Sequence, residues 1–586
     1  MSKLIYICKR KGSFQPSEDR RLKDICHHLK PDNIEVGEEQ NYISVKDDIA
    51  YAIYLDTNLM ARNSRSVVSG FFFEDTVTNW HEPNGLYPDG NYALFRSNDN
   101  QVELVSDYAG SRTIWYLKNE EVFIASTSQL AIMMYINSFE FNPEVIPWLL
   151  STGALGPSLS WDSRIKRLDA NSSLLLDKQT WSLTKTSEKI SFQIRKGTQE
   201  SHTQALSSSI DKVVRSIGSL DLSRWVLPLS GGYDSRGVLC FMKKNLELPS
   251  DFRTVTWGMK DSEERSGNDA QIAKTVAREL GVKNFYSHTD VSSEPLSVVL
   301  DRFFHCSEGR IDHISGYMDG MKIWKKYYEN DIIGTIRGDE GFGWTPVSSE
   351  LTVRLGLGFG LYNDYSNLKS CVRPLNFSEQ KYSPDLDKSS SESLEQWRDR
   401  LYHTYRLPTV LAALSDIKYS YIEQINPLLS KEVLKVSSEM PDILRTNKKA
   451  FRSIIDSFGP KVEIASKDAN AAPEDIVKNK RFVDVMVREL DSKYAKELLG
   501  EEYIVQVLER LVVNKSKIRP RKSFKTTLSS MLPNILKGIL RRTIVKPTID
   551  NNILAFRTFM IVRVHKIFNE KVDSCGSKSV AEEDSH

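Results

Sequence analysis

Hydrophobic and polar residues alternate along the first part of the chain, in short segments that turns separate. Six segments show this pattern, and they cover residues 4–7, 50–55, 92–96, 102–106, 113–117 and 122–126. Alternation with a period of two is typical of strands that bury one face. The clusters Asn84-Gly85 and Pro88-Asp89-Gly90 are typical turn sequences. The pattern predicts a β-rich, layered domain over residues 1–190.

A different pattern begins near residue 205, where helical and strand-like segments follow one another. Ile210, Val213, Val214 and Ile217 have the spacing of one helix face. Further helices are predicted at residues 235–243, 272–280 and 317–328, and strands at residues 225–229, 254–257, 284–287 and 331–336. Strands that alternate with helices form a parallel sheet covered on both faces. We expect this α/β domain at residues 200–475, after a polar boundary at 183–202, and a helical extension with a frayed tail at 476–586.

Composition and charge exclude several classes of protein. Hydrophobic residues make up 40% and charged residues 27% of the chain, as in ordinary globular proteins. The 79 Lys and Arg residues almost cancel the 77 Asp and Glu residues, so no overall field attracts nucleic acid or anionic lipid. No apolar run approaches the roughly 20 residues of a membrane span, and residues 1–13 lack the apolar stretch of a signal peptide. We expect a cytoplasmic protein with neither a nucleic acid nor a membrane partner.

Two local features change this picture little. The six cysteines form no CxxC pair, which argues against a zinc ribbon and against a disulfide framework. The basic segments 515–525 and 536–542 have the composition of a surface that docks a peptide, an acidic carrier or a membrane surface. A solvated helix face and loop is the simpler interpretation of both segments.

The predicted strand at 225–229 is followed by the most informative segment of the chain. This segment reads Ser230-Gly231-Gly232-Tyr233-Asp234-Ser235-Arg236, and a predicted helix follows it. Glycines allow a tight turn and close approach of a ligand, and the free N–H groups at the start of a helix attract anions. The Walker pattern GxxxxGK[ST] is not present here. Because a carboxylate among phosphates needs a cation between them, Asp234 indicates Mg²⁺.

This segment resembles the SGGxDS pyrophosphate loop of the asparagine synthetase superfamily, which includes β-lactam synthetases and lasso-peptide cyclases. The resemblance implies an adenine-nucleotide α-hydrolase-like (PP-loop) synthetase domain, preceded by an Ntn-hydrolase-like αββα domain related to glutaminases. It also implies ATP and Mg²⁺ as cofactors. The nucleotide-binding residues that it implies are Leu229, Ser230, Gly231, Gly232, Tyr233, Asp234, Ser235, Arg236 and Gly338.

Three further segments resemble family motifs, in the order that the family has them. The segment Gly338-Asp339-Glu340-Gly341-Phe342-Gly343 resembles SDELFGG, which implies that Asp339 is a second metal ligand beside Asp234. Ile425-Asn426-Pro427-Leu428-Leu429, Met440-Pro441 and residues 448–452 resemble the helical region "PFLD … P … K..LR". Lys467 falls where the family has a lysine that balances charge on the α-phosphate and pyrophosphate. The catalytic residues that the resemblance implies are Asp234, Asp339, Glu340 and Lys467.

Together these matches imply an ATP-dependent amide-forming ligase. A carboxylate is adenylated with release of pyrophosphate, and an amine then displaces AMP. Preorganised cations and N–H dipoles lower the barrier of the first step, because negative charge develops on the pyrophosphate. The expected partners are a small-molecule or peptide carboxylate and an amine, and the oligomeric state is open.

The sequence departs from the family in the predicted glutaminase-like domain. The chain begins Met1-Ser2, where glutamine-dependent members have a cysteine nucleophile. Asn84-Gly85 is followed by Leu86, where the family has the triplet NGE. We therefore expect a glutaminase-like fold without glutamine hydrolysis, and an amine that comes from free ammonia or from a second substrate.

A second departure lies beside the predicted metal ligand. Ile336 stands three residues before Asp339, where asparagine synthetases have a glutamate that handles the amine's proton. Other candidates for this proton transfer, each with a simpler structural explanation, are Glu308, Asp312, His313, Tyr317 and Asp319. Arg337 is a candidate for holding a substrate carboxylate or phosphate.

Two alternative functions remain open at this point. An intramolecular cyclase that closes a lactam or a peptide ring would account for both departures. A catalytically silent nucleotide-binding protein would account for Ile336. A tRNA-thiolating PP-loop enzyme is disfavoured, because no CxxC pair accompanies the motif and the net charge is only +2.

Overall fold

The structure, a computed structural model, describes residues 3–57, 61–74, 77–375, 379–514 and 546–583, with side chains up to residue 575. The basic segments 515–525 and 536–542 and the first two residues lie outside the described part of the chain. Within these ranges, every helix is too short or too polar to span a bilayer.

Two antiparallel sheets form the first part of the molecule. Their strands are β1 (Lys3–Lys9), β2 (Tyr42–Lys46), β3 (Ile49–Tyr54), β4 (Val67–Phe72), β5 (Gly90–Ser97), β6 (Gln101–Ser106), β7 (Trp115–Lys118), β8 (Val122–Ser126), β9 (Lys166–Arg167), β10 (Ser172–Asp177) and β11 (Ser182–Ser187). The first sheet has the order β2-β3-β1-β8-β7-β9 and the second β11-β10-β6-β5-β4. Each of the six predicted strands overlaps one of these.

Alternate side chains of β1 point into two different hydrophobic cores. Leu4, Tyr6 and Cys8 point between the two sheets, where the rings of Tyr6 and Phe95 lie 5.8 Å apart. Ile5 and Ile7 face the opposite core, to which helix α1 (Ser17–Leu29) contributes its buried side. Helices α2 (Gln129–Ile136) and α3 (Val145–Thr152) follow in the chain. The period of two therefore produces the layered arrangement that the sequence predicts.

A five-stranded parallel sheet forms the centre of the second part. Its strands are β12 (Trp225–Pro228), β13 (Arg253–Gly258), β14 (Lys283–His288), β15 (Gly334–Ile336) and β16 (Glu423–Ile425). The order is β14-β13-β12-β15-β16, and all neighbours pair in parallel. The chain moves to one side of β12 and later returns on the other side, so the carboxyl ends of β12 and β15 form a topological switch point, where α/β sheets bind ligands. The predicted α/β fold is confirmed.

Helices cover this sheet and continue beyond it. They are α4 (Gln199–Ser216), α5 (Tyr233–Asn245), α6 (Asp269–Glu279), α7 (Leu296–Ser307), α8 (Lys322–Glu329), α9 (Glu350–Leu357), α10 (Leu368–Val372), α11 (Leu394–Leu401), α12 (Ala412–Tyr419), α13 (Lys431–Ser438), α14 (Asp442–Arg445), α15 (Lys449–Phe458), α16 (Pro473–Val477), α17 (Lys480–Leu490), α18 (Lys493–Leu499), α19 (Glu501–Glu509) and α20 (Asn551–Glu583). A π-helical segment, Tyr402–Leu411, joins α11 to α12.

The helix predicted at residues 317–328 begins five residues later than expected, at Lys322. The Asp319 carboxylate accepts the N–H groups of Met321 (3.0 Å) and Ile323 (3.1 Å). Gly320 and Met321 have positive φ angles of 74° and 61°. The side-chain hydrogen bonds of Asp319 favour a turn over a helix at this point, so the first part of the prediction is wrong.

The last helix connects the two parts of the molecule. Helix α20 packs against α2, α3 and α7, and the rings of Phe556 and Phe559 lie 6.3 and 5.8 Å from the ring of Phe304. Residues of the first, second and last parts of the chain therefore share one hydrophobic core. The limits of the three predicted domains, 1–190, 200–475 and 476–586, stay a prediction.

Candidate active site

A cleft of about 250 Å³ opens at the carboxyl ends of β12, β13 and β15. Six residues of the predicted site line it, and they are Leu229, Ser230, Asp234, Ser235, Gly338 and Asp339. The other lining residues are Pro228, Val255, Thr256, Trp257, Asp269, Arg337 and Asn470. Segments that are about 100 residues apart in sequence thus meet at one place, which is the switch point of the sheet.

Hydrogen bonds within the glycine loop, and one to Asp269, fix the conformation of its backbone. The Ser230 N–H donates to Ser235 Oγ (3.0 Å) and the Gly232 N–H donates to Ser230 Oγ (3.2 Å). The Gly231 N–H donates to Asp269 Oδ1 (2.9 Å). Helix α5 begins directly after Gly232, which has no side chain that could cap the helix. The N–H groups of the first turn and the positive end of the helix dipole therefore face the loop, as an anion site requires.

Two glycines of the site are required by close packing. A Cβ atom on Gly231 would lie 2.3 Å from the Cβ of Ala465. A Cβ atom on Gly338 would lie 2.7 Å from the backbone nitrogen of Ser235 and 2.8 Å from the carbonyl carbon of Asp234. The end of β15 can approach the first turn of α5 only because residue 338 has no side chain. This approach brings Asp339 and Asp234 to the same cleft.

Tyr233 and Arg236 do not line the cleft. The Tyr233 hydroxyl donates to Asp456 on α15 (2.8 Å). The buried Arg236 guanidinium donates to the carbonyl oxygens of Val462 (2.6 Å) and Glu463 (2.9 Å). Both side chains thus hold neighbouring structure around the loop. Their predicted part in nucleotide binding stays a prediction.

Asp339 forms an ion pair with Arg337. The guanidinium of Arg337 donates through Nε to Oδ2 and through a terminal nitrogen to Oδ1, both at 3.1 Å. Burial alone would raise the pKa of Asp339, but the charge and hydrogen bonds of Arg337, with Lys418 and Arg406 nearby, outweigh burial and hold that pKa below its usual value. Asp339 is therefore a carboxylate at neutral pH, which is the form that ligates a metal ion.

Asp234 lies beside a lysine and a second acid. Lys448 Nζ is 2.5 Å from Asp234 Oδ2 and 2.9 Å from Glu340 Oε1. Glu340 is buried, and its other oxygen accepts the N–H of Phe342 (2.6 Å). Burial, followed by the negative charge of Glu340, raises the pKa of Asp234 to about 6, although Lys448 opposes the rise.

The donor atoms of the cleft fit a magnesium ion that is shared with phosphates. Asp234 Oδ1 is buried and has no hydrogen-bond partner in the structure, and Asp339 lines the same cleft. Mg²⁺ in nucleotide sites is held by one or two carboxylates, with phosphate oxygens and water as its other ligands. Over the described ranges, no group of three or more His, Cys, Asp or Glu side chains is arranged to hold a metal ion. Asp234 and Asp339 are thus the two carboxylates of the cleft that could ligate a magnesium ion together with phosphate oxygens.

Lys467 is outside the cleft. Its side chain is exposed, and its Nζ donates to the carbonyl oxygen of Ser266 (3.1 Å). Its backbone pairs with Asn268, and its carbonyl oxygen accepts the N–H of Asp269 (3.2 Å). The loop that carries Lys467 is thus attached to the rim of the site, while the ammonium group points away. Its catalytic role stays a prediction.

All five proposed proton acceptors have structural contacts. Glu308 accepts from Lys3 (3.0 Å) and from the N–H of Gln129 (2.9 Å). Asp312 accepts from Arg557 Nε (2.7 Å) and from His313 (3.2 Å), and Asp319 holds the start of α8. The ring of Tyr317 is buried 5.6 Å from the ring of Phe303, and burial raises the pKa of its hydroxyl group although Arg337 opposes the rise. Ile336 is completely buried in the core.

Two charged residues of the site are missing from the sequence-based prediction. Asp269 opens α6 directly after Asn268, whose side chain caps that helix. The sequence signal is a pair of polar residues before a helical stripe, and it is shared by many helix starts. Lys448 belongs to the quoted family-like segment 448–452, but the segment alone does not indicate a partner for its ammonium group.

The comparison with known families bears on the segment that contains the glycine loop. Residues 225–312 match the model of the asparagine synthase family. They run from β12 to beyond α7 and include the loop and Asp269. The likeness to the asparagine synthase family is therefore shown for residues 225–312. Four other residues of the predicted site or its surroundings lie after the matched segment: Asp339, Glu340, Lys448 and Lys467. The structure brings the first three of them close to the glycine loop.

Solved structures of two other enzymes show a much weaker likeness. One is the allosteric regulatory enzyme of purine biosynthesis, with 8% identity and a TM-score of 0.21 over 49% of this chain and 80% of that one. The other is the glutamine phosphoribosylpyrophosphate amidotransferase of B. subtilis, also with 8% identity and a TM-score of 0.21, over 57% of this chain and 90% of that one. Likeness at this level supports no conclusion about this chain. No curated protein sequence matches the chain.

Proposed function

We propose that this chain is an ATP-dependent amide-forming ligase that releases AMP and pyrophosphate. One observation carries the proposal. The loop Ser230 to Ser235 opens a helix inside an asparagine synthase segment, and Gly338 packs against that helix so that Asp234 and Asp339 line one cleft. The donor set of this cleft suits the phosphates of a nucleotide with one magnesium ion. A substrate of this kind agrees with the cytoplasmic location that the sequence predicts.

The loop would hold the nucleotide through groups that the fold has already oriented. The N–H groups of the first turn of α5 and the hydroxyl groups of Ser230 and Ser235 would bind the β- and γ-phosphates. Val255, Thr256 and Trp257 of β13 line the same cleft and offer a wall for the adenine ring. Asp234 and Asp339 would hold Mg²⁺, which when bound would neutralise part of the phosphate charge.

The first chemical step forms a mixed anhydride. A substrate carboxylate oxygen attacks the α-phosphorus, the bond from the α-phosphorus to the bridging oxygen breaks, and pyrophosphate leaves. Negative charge develops on pyrophosphate, where the helix dipole and a lysine would stabilise it. In this proposal that lysine is Lys467, which would have to turn towards the cleft when the nucleotide binds.

The second step transfers the acyl group to nitrogen. The amine attacks the acyl carbon, the bond from that carbon to the AMP oxygen breaks, and one proton leaves the nitrogen. Ile336 cannot accept this proton, and burial raises the pKa of the Tyr317 hydroxyl, which is therefore already protonated at neutral pH. The amine would enter in its neutral form, and its proton would pass to the departing AMP phosphate or to water. Free ammonia or the amino group of a second substrate would serve as the amine.

The contacts of the N-terminal part support its proposed role as a scaffold without glutamine hydrolysis. Glu103 pairs with the buried Arg96 (2.8 Å) and accepts the N–H of Asn84 (2.7 Å). Arg96 also donates to the carbonyl oxygen of Gly85 (3.0 Å). Leu86, which stands where the family has a substrate-binding glutamate, is 85% exposed. The Asn84-Gly85 segment is thus a turn, and the ion pair between Arg96 and Glu103 supports it.

Analysis of the nucleotide products tests the proposal. The protein should release AMP and pyrophosphate in equal amounts when Mg²⁺, ATP, an amine and the correct carboxylate are present, and omission of the carboxylate should abolish the release. Glutamine should not replace ammonia as nitrogen source. Release of ADP and phosphate in place of AMP would contradict the proposal.

A second candidate is a nucleotide-binding protein without turnover, and one observation favours it. Arg337 holds both carboxylate oxygens of Asp339, so this aspartate would have to exchange a bidentate partner for a metal ion. Calorimetry separates the two functions. Tight binding of Mg²⁺·ATP, without AMP release for any member of a broad carboxylate panel, would support the silent protein.

A further inference from the structure

Lys448 occupies the gap between two acids of the site. Its Nζ lies 2.5 Å from Asp234 Oδ2 and 2.9 Å from Glu340 Oε1. Asp234 belongs to the first turn of α5 and Glu340 follows the end of β15, so the ammonium group joins the two elements that build the cleft. A position between two carboxylates beside a phosphate loop is where a divalent cation would otherwise be expected.

The backbone around Lys448 is arranged for this contact. Asn447 and Lys448 have φ angles of 56° and 58°, a conformation that residues other than glycine rarely adopt and that is concentrated at functional sites. The Asn447 N–H donates to the carbonyl oxygen of Trp344 (2.9 Å). The buried Arg398 donates to the carbonyl oxygens of Trp344 (3.2 Å) and Thr345 (2.7 Å).

The local helix gives no reason for a lysine at this position. Lys448 precedes α15 as its N-cap residue, and its side chain makes no capping hydrogen bond. Positive charge is unfavourable at a helix N-terminus. Burial would lower the pKa of Lys448, but Glu340 and Asp234 raise it above its usual value, so the group remains a cation.

We infer that Lys448 is a built-in cation of the nucleotide site, which takes the place of a second divalent ion between Asp234 and Glu340 and donates to the terminal phosphates. This inference rests on the proposed function. A lysine ammonium has three N–H donors. Asp234 and Glu340 accept from two of them in the described part of the chain, and the third remains for a phosphate oxygen. Lys448 thus lies at the loop in the free protein, whereas Lys467 points away from it.

The magnesium dependence of nucleotide binding tests the inference. Binding of a non-hydrolysable ATP analogue is measured by calorimetry over a series of Mg²⁺ concentrations, for the wild type and for Lys448→Met. The control is Lys449→Met, which removes the exposed neighbouring lysine. We expect the variant K448M to bind the analogue on the order of tenfold more weakly at low Mg²⁺. High Mg²⁺ should restore binding of the analogue to K448M. The affinity of the variant should depend more steeply on the Mg²⁺ concentration than that of the wild type, because the variant needs two ions and the wild type needs about one.

Metal binding without nucleotide supplies an independent readout. Removal of the ammonium group leaves Asp234 and Glu340 facing each other, so K448M should bind Mn²⁺ alone more tightly than the wild type does. The double variant K448M with Glu340→Gln removes one positive and one negative charge, which keeps the local charge balanced if K448M folds poorly. It should lose the gain in Mn²⁺ affinity and retain the weaker binding of the analogue.

The outcomes separate this inference from the proposed function. If K448M and K449M bind the analogue as the wild type does, with the same Mg²⁺ dependence and no gain in Mn²⁺ affinity, Lys448 is a structural residue and the ligase proposal stands. If the wild type binds no adenine nucleotide at any Mg²⁺ concentration, the phosphate contact and the ligase proposal are both overturned.

Discussion

Gly338 lies against Ser235 so closely that a Cβ atom on residue 338 would be 2.7 Å from the Ser235 backbone nitrogen. This contact joins the end of β15 to the first turn of α5. Two predicted metal ligands, Asp234 and Asp339, therefore line one cleft although about 100 residues of chain separate them. The geometry of the site therefore depends on the absence of a side chain at Gly338.

Substitution of this glycine should damage the site. We expect Gly338→Ala to destabilise the fold by about 1 to 3 kcal/mol, the usual cost of overpacking, because the methyl group would meet backbone atoms that cannot move independently. Binding of Mg²⁺·ATP should weaken as the two aspartates separate. Chemical denaturation and calorimetry measure the two effects.

Gly356 provides the matched control. It lies inside α9, and a Cβ atom there would contact no atom within 4 Å. Gly356→Ala should stabilise the protein by up to about 1 kcal/mol, because alanine is the better helix former. Equal effects of the two substitutions would show that the contact of Gly338 with Ser235 is unimportant.

The pH dependence of nucleotide binding should report on Asp234. Burial and the charge of Glu340 raise the pKa of this carboxyl group to about 6. Below that pH the group is protonated and cannot ligate a cation, so the affinity for Mg²⁺·ATP should fall about tenfold per pH unit. Binding that is unchanged between pH 7 and pH 5 would contradict the assignment of Asp234 as a ligand.

The stability of the ligand-free protein should also depend on the protonation of Asp234. Its pH dependence should have the opposite sign to that of nucleotide binding. Between about pH 4, the usual value for Asp, and pH 6, the folded protein binds one proton more than the unfolded chain does. The free energy of unfolding should therefore decrease as the pH rises through this window and then level off. Asp234→Asn should lack this component in urea titrations at a series of pH values.

Arg236 should control the order of the loop at 459–472. Its guanidinium donates to the carbonyl oxygens of Val462 and Glu463, and Ala465 of the same loop donates to the Gly231 carbonyl oxygen (3.1 Å). We expect Arg236→Met to destabilise the protein by about 1.5 to 3 kcal/mol and to accelerate hydrogen exchange in the loop. The control is Arg278→Met, at an exposed residue of α6. Unchanged exchange in the loop would be evidence against this role.

Lys467 should matter for turnover and not for folding. It is exposed, and in the described part of the chain its ammonium group donates to the carbonyl oxygen of Ser266, so Lys467→Ala should keep the melting temperature of the wild type. If the lysine reaches the developing pyrophosphate charge, the rate of adenylation should fall on the order of 100-fold. Wild-type turnover by K467A would remove this residue from the catalytic set.

The sequence predicts those elements whose pattern is long and regular. The parallel strands β12 and β13 and the helices α4, α5 and α6 follow clear apolar runs or stripes. Strands β10 and β11 escape prediction for different reasons. The segment Ser172–Asp177 has three consecutive leucines instead of an alternation, and Ser182–Ser187 is polar and almost entirely exposed. Backbone pairing with a neighbouring strand, which local composition does not encode, determines both.

The residues of the site also differ in how far the sequence predicts them. The glycine loop and Asp339 are predictable because a short motif contains the chemistry. The contact of Lys448 with Asp234 joins residues 214 positions apart. It also depends on left-handed backbone conformations at Asn447 and Lys448, which asparagine favours and lysine does not. The outward direction of the Lys467 side chain is likewise a property of the folded loop. Long-range packing therefore decides which charges reach the cleft.

Isotope exchange between labelled pyrophosphate and ATP tests the central claim most directly. It follows the reversal of adenylation, so it needs a carboxylate and Mg²⁺ but no amine. We predict carboxylate-dependent exchange by the wild type and its loss in Asp234→Asn. The absence of exchange for every carboxylate and peptide offered, although ATP binds, would contradict the account, and so would undiminished exchange by the variant.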